Sequence, residues 1–222
     1  MYSIVQCVAG ILYICVLLSS CGKAYDQITE VNQNMKSLTV NSLKEIFFAG
    51  GCFWGTEKVF KAVPGVTDTE VGYANGSTDD PTYQQVCTDL TGHRETVRVI
   101  YDENMISLED LIRVFFIVID PTVKDMQGAD RGTQYQTGVY YSDNADLPVI
   151  EKLFEAEKEK YNKFYVELRP LECFWPAEEY HQDYLDKNPG GYCHISSEEM
   201  REVQNYFRKD NPQNAHQGTG HR

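Results

Sequence analysis

The sequence predicts an α/β protein of the α+β kind, a two-layer sandwich on a ferredoxin-like, split βαβ core. One extra helix and a long irregular C-terminal segment complete it. Three observations predict this fold. Strand-length runs and helix-period runs interleave in the order β-α-β-β-α-β, with a helix added. The breaks between runs fall at Gly, Pro and Asn-Gly, where a chain turns most easily. After Arg169-Pro170 regular spacing is lost until an amphipathic stretch near Ser197 to Phe207.

Taken in order, Ile46-Phe47-Phe48-Ala49 is a continuous apolar run stopped by Gly50-Gly51, the pattern of a strand buried on both faces. Val59, Phe60 and Val63 mark one side of a helix that stops at Pro64-Gly65. Val66 to Tyr73 reads as a strand closed by the turn former Asn75-Gly76. From Glu95 to Tyr101 the chain alternates, with Val97, Val99 and Tyr101 on one face and Thr96 and Arg98 on the other. Ser107 is a good N-cap with Asp110 three residues on, and Leu108, Leu111, Ile112, Phe115 and Ile119 keep a helical period. Asp120-Pro121 ends that helix. The Gly- and Asp-rich loop from Thr122 to Gln136 is long enough to suggest function. A strand at 138–141, a helix presenting Ile150, Leu153, Phe154 and Tyr161, and a strand near 165–168 come next.

A chain of 222 residues, 42% hydrophobic and 12% aromatic, has the material for a real core. Its formal net charge of -13 excludes non-specific nucleic-acid binding, which needs a basic face. The acidic run Glu155 to Lys160 reads as a solvated helix face. The seven cysteines (Cys7, Cys15, Cys21, Cys52, Cys87, Cys173 and Cys193) include no Cys-x-x-Cys pair, so neither a disulfide scaffold nor a metal site is expected. Val8 to Leu18 is almost wholly apolar, too short for a membrane span and right for a signal-peptide core. Leu18-Ser19-Ser20-Cys21 resembles a bacterial lipobox, although Met1 to Gln6 carries no basic residue. An uncleaved anchor or a plain signal peptide are the alternatives. The expected organisation is a lipoprotein-type signal at 1–20, a polar tether at 21–44, a catalytic domain at 45–210 and a disordered tail at 211–222. That makes an exported protein held to the membrane through Cys21, or a cytoplasmic one if the signal does not function.

Cys52 sits where a buried strand meets a helix start, where backbone N–H groups and the helix dipole lower a thiol pKa. It reads equally as an attacking thiolate or as a buried structural cysteine. Phe53 and Trp54 can wall an apolar pocket beside it. Glu95 leads an alternating strand on its apolar face, where desolvation would raise its pKa and suit a general acid, unless it is simply an exposed strand start. Among fifteen tyrosines, packing is the default for any single one. His181 reads as a structural hydrogen-bond partner. Cys87 and Cys173 read as structural cysteines, with a part in recycling left open.

Gly51-Cys52-Phe53-Trp54-Gly55-Thr56-Glu57 resembles the signature of the A-type peptide methionine sulfoxide reductases. Matching segments occur in that family's order at 71–76, 81–87, 91–95, 120–122, 130–135, 177–185 and 188–193, so the resemblance spans roughly Glu45 to Ser196. It implies that Cys52 attacks the sulfur while Glu95 protonates the sulfoxide oxygen, with the Tyr83 and Tyr135 phenols bonding that oxygen. Asp130 would organise the polar groups, and Phe53, Trp54 and Tyr184 would hold the substrate. Cys193, on the glycine-rich arm Pro189 to Tyr192, would form a disulfide with Cys52 that a thioredoxin-like dithiol clears. The implied substrate is the S epimer of methionine sulfoxide, in proteins and free, with no cofactor and a monomeric chain. A thiol peroxidase and a membrane-tethered redox sensor using Cys52 and Cys193 are the rival readings.

Overall fold

Ile46, Phe47, Phe48 and Ala49 have no polar side chain to offer solvent, and all four are buried at the centre of the sheet. The chain divides into two compact units, 1–43 and 44–222. The computed structural model describes residues 42–209, which belong to the second unit apart from the two residues leading into it. The expected signal, Cys21, the tether up to residue 41 and the tail from 211 lie outside the described residues.

The elements in chain order are β1 (Leu43–Ala49), α1 (Phe53–Lys61), β2 (Val66–Ala74), α2 (Tyr83–Val86), β3 (Arg94–Asp102) and α3 (Leu108–Ile117). Then come β4 (Met126–Gln127), β5 (Asp130–Arg131), a 3-10 turn (Thr133–Tyr135), β6 (Gly138–Tyr141) and α4 (Leu147–Lys158). β7 (Glu167–Pro170), β8 (Phe174–Pro176), α5 (Tyr184–Lys187) and α6 (Ser197–Lys209) complete the order.

The six-stranded sheet runs β7-β6-β1-β3-β2-β8. Its inner four, β6-β1-β3-β2, have the fourth-first-third-second order of the split βαβ core, as the sequence predicts. β2 and β3 pair antiparallel from Val66↔Tyr101 to Ala74↔Arg94, which sets Glu95 opposite Tyr73. Helices cover one face: Phe48 stacks on Phe60 with ring centres 4.4 Å apart and on Phe115 at 5.2 Å. Each fully buried side chain of this kind contributes about 1.5–3 kcal/mol. On the other face Phe47, Ala49, Ala74 and Tyr140 are roofed by Leu171 and Phe174. Among the described residues no helix is long and apolar enough to cross a membrane.

The C-terminal third departs from the expectation of an irregular segment. β7 lies parallel to β6, two residues later than expected, and β8 adds antiparallel to the far edge of β2. Side chains hold this segment where periodicity does not. The Gln182 amide accepts from the Val71 N–H and donates to the Val71 carbonyl, both at 2.9 Å, closing the edge of β2 beyond β8. Asn75, left-handed at φ 57°, accepts from the Glu172 N–H and donates to the Pro170 carbonyl. The loop 122–136 contains the β4–β5 hairpin, and Tyr161 lies beyond the end of α4 rather than on its buried face. Cys173 is half-buried, its thiol donating to the Gly76 carbonyl at 3.6 Å. Cys87 is exposed at the end of α2, against the expectation of a structural position, because Val86 takes the inward place.

Candidate active site

The turn from β1 into α1 needs its glycines. Gly51 has φ +87°, and a Cβ there would meet the Gln127 side chain at 2.6 Å. The turn delivers Cys52 to the N-cap of α1 with no side-chain cap bond, so its sulfur is free to point elsewhere. Cys52 is only 6% exposed. Its thiol is pushed well up, first by burial and then by the Glu95 carboxylate, although the Trp54 and Gly55 N–H groups favour the thiolate. The lowered pKa expected from the helix start is therefore corrected: desolvation and a neighbouring carboxylate outweigh the two N–H groups. A protonated Glu95 removes the second of these obstacles.

Glu95 is 1% exposed, inward with Val97 and Val99 as the alternation predicts. Its Oε2 accepts the Phe53 N–H at 3.1 Å, and its Oε1 is buried with no partner. Burial raises its pKa to about 8, against the pull of the Phe53 N–H and helped by Asp130. At neutral pH the carboxyl holds a proton beside the thiol, and that proton has no acceptor among the described residues.

Aromatic rings build the wall. Trp54 stacks on Tyr184 at 3.7 Å with 16° between planes, and its Nε1–H donates to His181 Nδ1 at 3.2 Å. His181 is buried, in the hydrogen-bonding role predicted for it, and its ring packs on Phe53 at 5.0 Å and on Tyr83 at 4.6 Å. Phe53 itself is fully buried, against Tyr73 and His181. Tyr83 opens α2, where its N–H donates to Glu178 Oε1 at 2.9 Å. The other Glu178 oxygen accepts the Tyr73 hydroxyl at 2.8 Å, so one carboxylate ties α2 to β2. The Tyr83 hydroxyl reaches both Tyr135 and the Cys87 sulfur. Burial, then Glu95 and Cys52, keep the Tyr135 phenol protonated and able to donate.

Asp130 accepts the Tyr192 hydroxyl at 3.0 Å, tying the β4–β5 hairpin to the glycine-rich arm. That arm sets Cys193 against the first turn of α1: a Cβ on Gly55 would lie 3.1 Å from the Cys193 sulfur. Both cysteines are free thiols, Cys193 half-buried. Cys52, Glu95, Tyr83, Tyr135, Asp130, Phe53, Trp54, Tyr184 and Cys193 thus gather round one strand-to-helix turn.

Sequence reasoning missed three residues. Glu178 holds one backbone N–H and one distant hydroxyl, and Gln127 holds the Asp120 backbone, links that no pattern announces. His194 is a lone loop histidine, and its position after Cys193 was the only available signal. Cys52 Sγ, an Asp130 oxygen and a His194 ring nitrogen lie within 4.8 Å of one another. Asp130 and His194 are each already engaged, with Tyr192 and the Gly50 carbonyl.

A proton-bearing carboxyl beside a buried thiol, phenols near the same thiol and a second thiol packed on the first turn of the same helix define a thiol-dependent oxidoreductase. Residues 44–213 match the family model for peptide methionine sulfoxide reductase. The chain is 55% identical over 160 residues to the peptide methionine sulfoxide reductase MsrA of Clostridium acetobutylicum, covering 72% of this chain and 99% of that one. It is 54% identical to the MsrA of Clostridium botulinum strain Hall, over 69% of this chain and 98% of that one. Among solved structures, reduced Mxr1 from Saccharomyces cerevisiae superposes with a TM-score of 0.67 at 40% identity, covering 70% of this chain and 92% of that one. Methionine sulfoxide reductase A of Corynebacterium diphtheriae gives 0.62 at 34% identity, covering 68% and 78%. The chain belongs to the peptide methionine sulfoxide reductase family, in its A-type branch, and is an oxidoreductase.

Proposed function

We propose that the chain reduces the S epimer of methionine sulfoxide, in proteins and free, through a Cys52 sulfenic acid and a Cys52–Cys193 disulfide. The unpartnered, protonated Glu95 Oε1 beside Cys52 carries this reading. The Cys52 sulfur attacks the sulfoxide sulfur while Glu95 gives its proton to the oxygen, which Tyr83 and Tyr135 hold as hydrogen-bond donors, and the thiol proton of Cys52 passes to the Glu95 carboxylate so formed. The oxygen passes to Cys52 as S–OH, and the sulfide leaves as methionine. Phe53, Trp54 and Tyr184 supply the apolar surface for the methyl group and side chain. Cys193 then displaces the hydroxyl, releasing water and forming the disulfide.

Clearing that disulfide takes an outside dithiol, for which a thioredoxin-like protein is the proposed partner. Cys193 is the more open of the two sulfurs and the natural point of attack. No bound cofactor enters this scheme, and the enzyme acts as a monomer. We propose further that the mature protein is exported and anchored through a lipid on Cys21, on the strength of the lipobox-like Leu18 to Cys21.

Incubation with the separate R and S sulfoxides and with hydrogen peroxide tests the activity. Turnover of the S epimer alone is expected, with a Cys52–Cys193 disulfide by peptide mapping after one turnover without reductant. Turnover of peroxide alone, or of nothing, rejects the proposal in favour of a peroxidase or a sensor.

A further inference from the structure

Closing the disulfide needs a proton acceptor and a proton donor, and neither thiol is poised to do without them. Burial raises the pKa of Cys193 as it does that of Cys52. At rest the Cys193 thiol donates only to the Ile195 carbonyl, at 3.4 Å. The leaving group on Cys52 is hydroxide, which departs poorly unless protonated.

His194 follows Cys193 directly in the chain. Its Nε2 is 2.9 Å from the Gly50 carbonyl, a bond only Nε2–H can make, so the neutral ring carries its lone pair on Nδ1. Nδ1 is buried with no partner. It lies 3.2 Å from the point a Gly55 Cβ would occupy, and Cys193 Sγ lies 3.1 Å from that same point. The basic nitrogen of the ring and the resolving sulfur therefore both border the space left by the side chain that Gly55 lacks. The same imidazole has a ring nitrogen within 4.8 Å of Cys52 Sγ and of an Asp130 oxygen.

Resting on the sulfenic acid reading above, we propose that His194 is the general base and acid of the resolving step. Nδ1 takes the proton of the Cys193 thiol as Cys193 Sγ bonds to Cys52 Sγ. The Cys52 S–O bond breaks, and the imidazolium returns that proton to the departing hydroxide, which leaves as water. Cys193 is oxidised and the Cys52 sulfenic sulfur reduced to the common disulfide level, so no further oxidant is needed. Burial keeps the ring neutral at pH 7, and Asp130 and Glu199 steady its charge while it holds the proton. Those carboxylates, with Cys52 and Cys193, are the titratable groups facing it.

Single turnover of the full chain with excess S-sulfoxide and no reductant separates the steps: released sulfide reports the first, and the mapped disulfide reports the second. His194→Gln keeps a donor for the Gly50 carbonyl but no base. It is expected to release sulfide at the normal rate, to accumulate a dimedone-trappable sulfenic acid, and to close the disulfide ~10²-fold more slowly. Added imidazole is expected to speed closure in His194→Gly, which a purely structural role would not allow. The unaltered enzyme gives a second test. Its closure rate is expected to be flat from about pH 7 to 9 and to fall in acid as the ring is protonated, below the ordinary histidine value. Closure by His194→Gln at the normal rate overturns the proposal. So does a roughly tenfold rise per pH unit across 7 to 9, which marks a thiolate made by solvent, and this holds even if the variants do not fold. If the unaltered enzyme releases no sulfide, the sulfoxide reading itself fails, a result distinct from both.

Discussion

Glu95 keeps its proton at a cost to the fold. The carboxyl titrates at about 8 in the folded chain against an ordinary 4.5, so folding takes up a proton at any pH between the two. A raised acid contributes most to stability below the lower value and loses that contribution as pH climbs to the higher one. Glu95→Gln can still accept the Phe53 N–H but cannot ionise. It is expected to melt above the unaltered protein at pH 8, by on the order of a few kcal/mol, with the gap closing toward pH 4.5. Sulfide release by the same variant should drop ~10²–10⁴-fold. In the unaltered enzyme the sulfoxide step should weaken as pH rises past about 8, where the carboxyl ionises. Melting curves with single-turnover rates across pH check all of these, and equal stability of the two proteins at pH 8 contradicts the account. Glu95 was legible in the sequence because alternation put it on the face of Val97 and Val99. The resting state of Cys52 was not, because a helix start says nothing about how deeply it is buried.

At the scale of elements, the sheet and its covering helices were legible because each carries its own period. The C-terminal segment was not, because its strands are too short to show a period and side chains such as Gln182, Asn75 and Glu178 hold it to distant parts of the chain. That difference predicts where small changes do damage. Gly72 in β2 lies under β8, and a Cβ there would come within 2.5 Å of the Trp175 carbonyl and the Phe174 ring. Backbone cannot yield as a side-chain tip can, so Gly72→Ala is expected to cost about 1–3 kcal/mol and to loosen β8. Faster amide exchange confined to 171–184 and the facing part of β2 would show it, and exchange unchanged there contradicts it. At Gly55 a Cβ would meet the Cys193 sulfur and the His194 ring, so Gly55→Ala pushes the arm off α1. Sulfide release should survive that change while disulfide closure slows at least several-fold. Equal slowing of both steps would mean that the methyl group disturbs Cys52 instead.

For the whole molecule, the proposed lipid anchor on Cys21 can be set against what the rest of the chain offers a membrane. Every residue assigned to the site lies between 52 and 194, and the family match begins at 44, so the chemistry asks nothing of the first 43 residues. A net charge of -13 cannot hold the chain to an anionic lipid surface, and at low salt it repels it. Among the described residues no helix can cross a bilayer. Under the proposed anchor, attachment rests on acyl chains on Cys21, at about 0.8 kcal/mol for each buried CH₂. Expressed in a bacterium, the unaltered chain should pellet with membranes and resist high salt, with a mature mass beginning at an acylated Cys21. Cys21→Ser should shift the activity to the soluble fraction or leave it in an unprocessed precursor, with the rate per folded molecule unchanged. An unmodified Met1 on the membrane-extracted protein would refute the anchor, whatever the activity. The location also sets the electron supply. Outside the cytoplasm thiols drift toward disulfides, so a reductase held there would stall at Cys52–Cys193 unless a dedicated dithiol reached the half-buried Cys193 from the same side of the membrane.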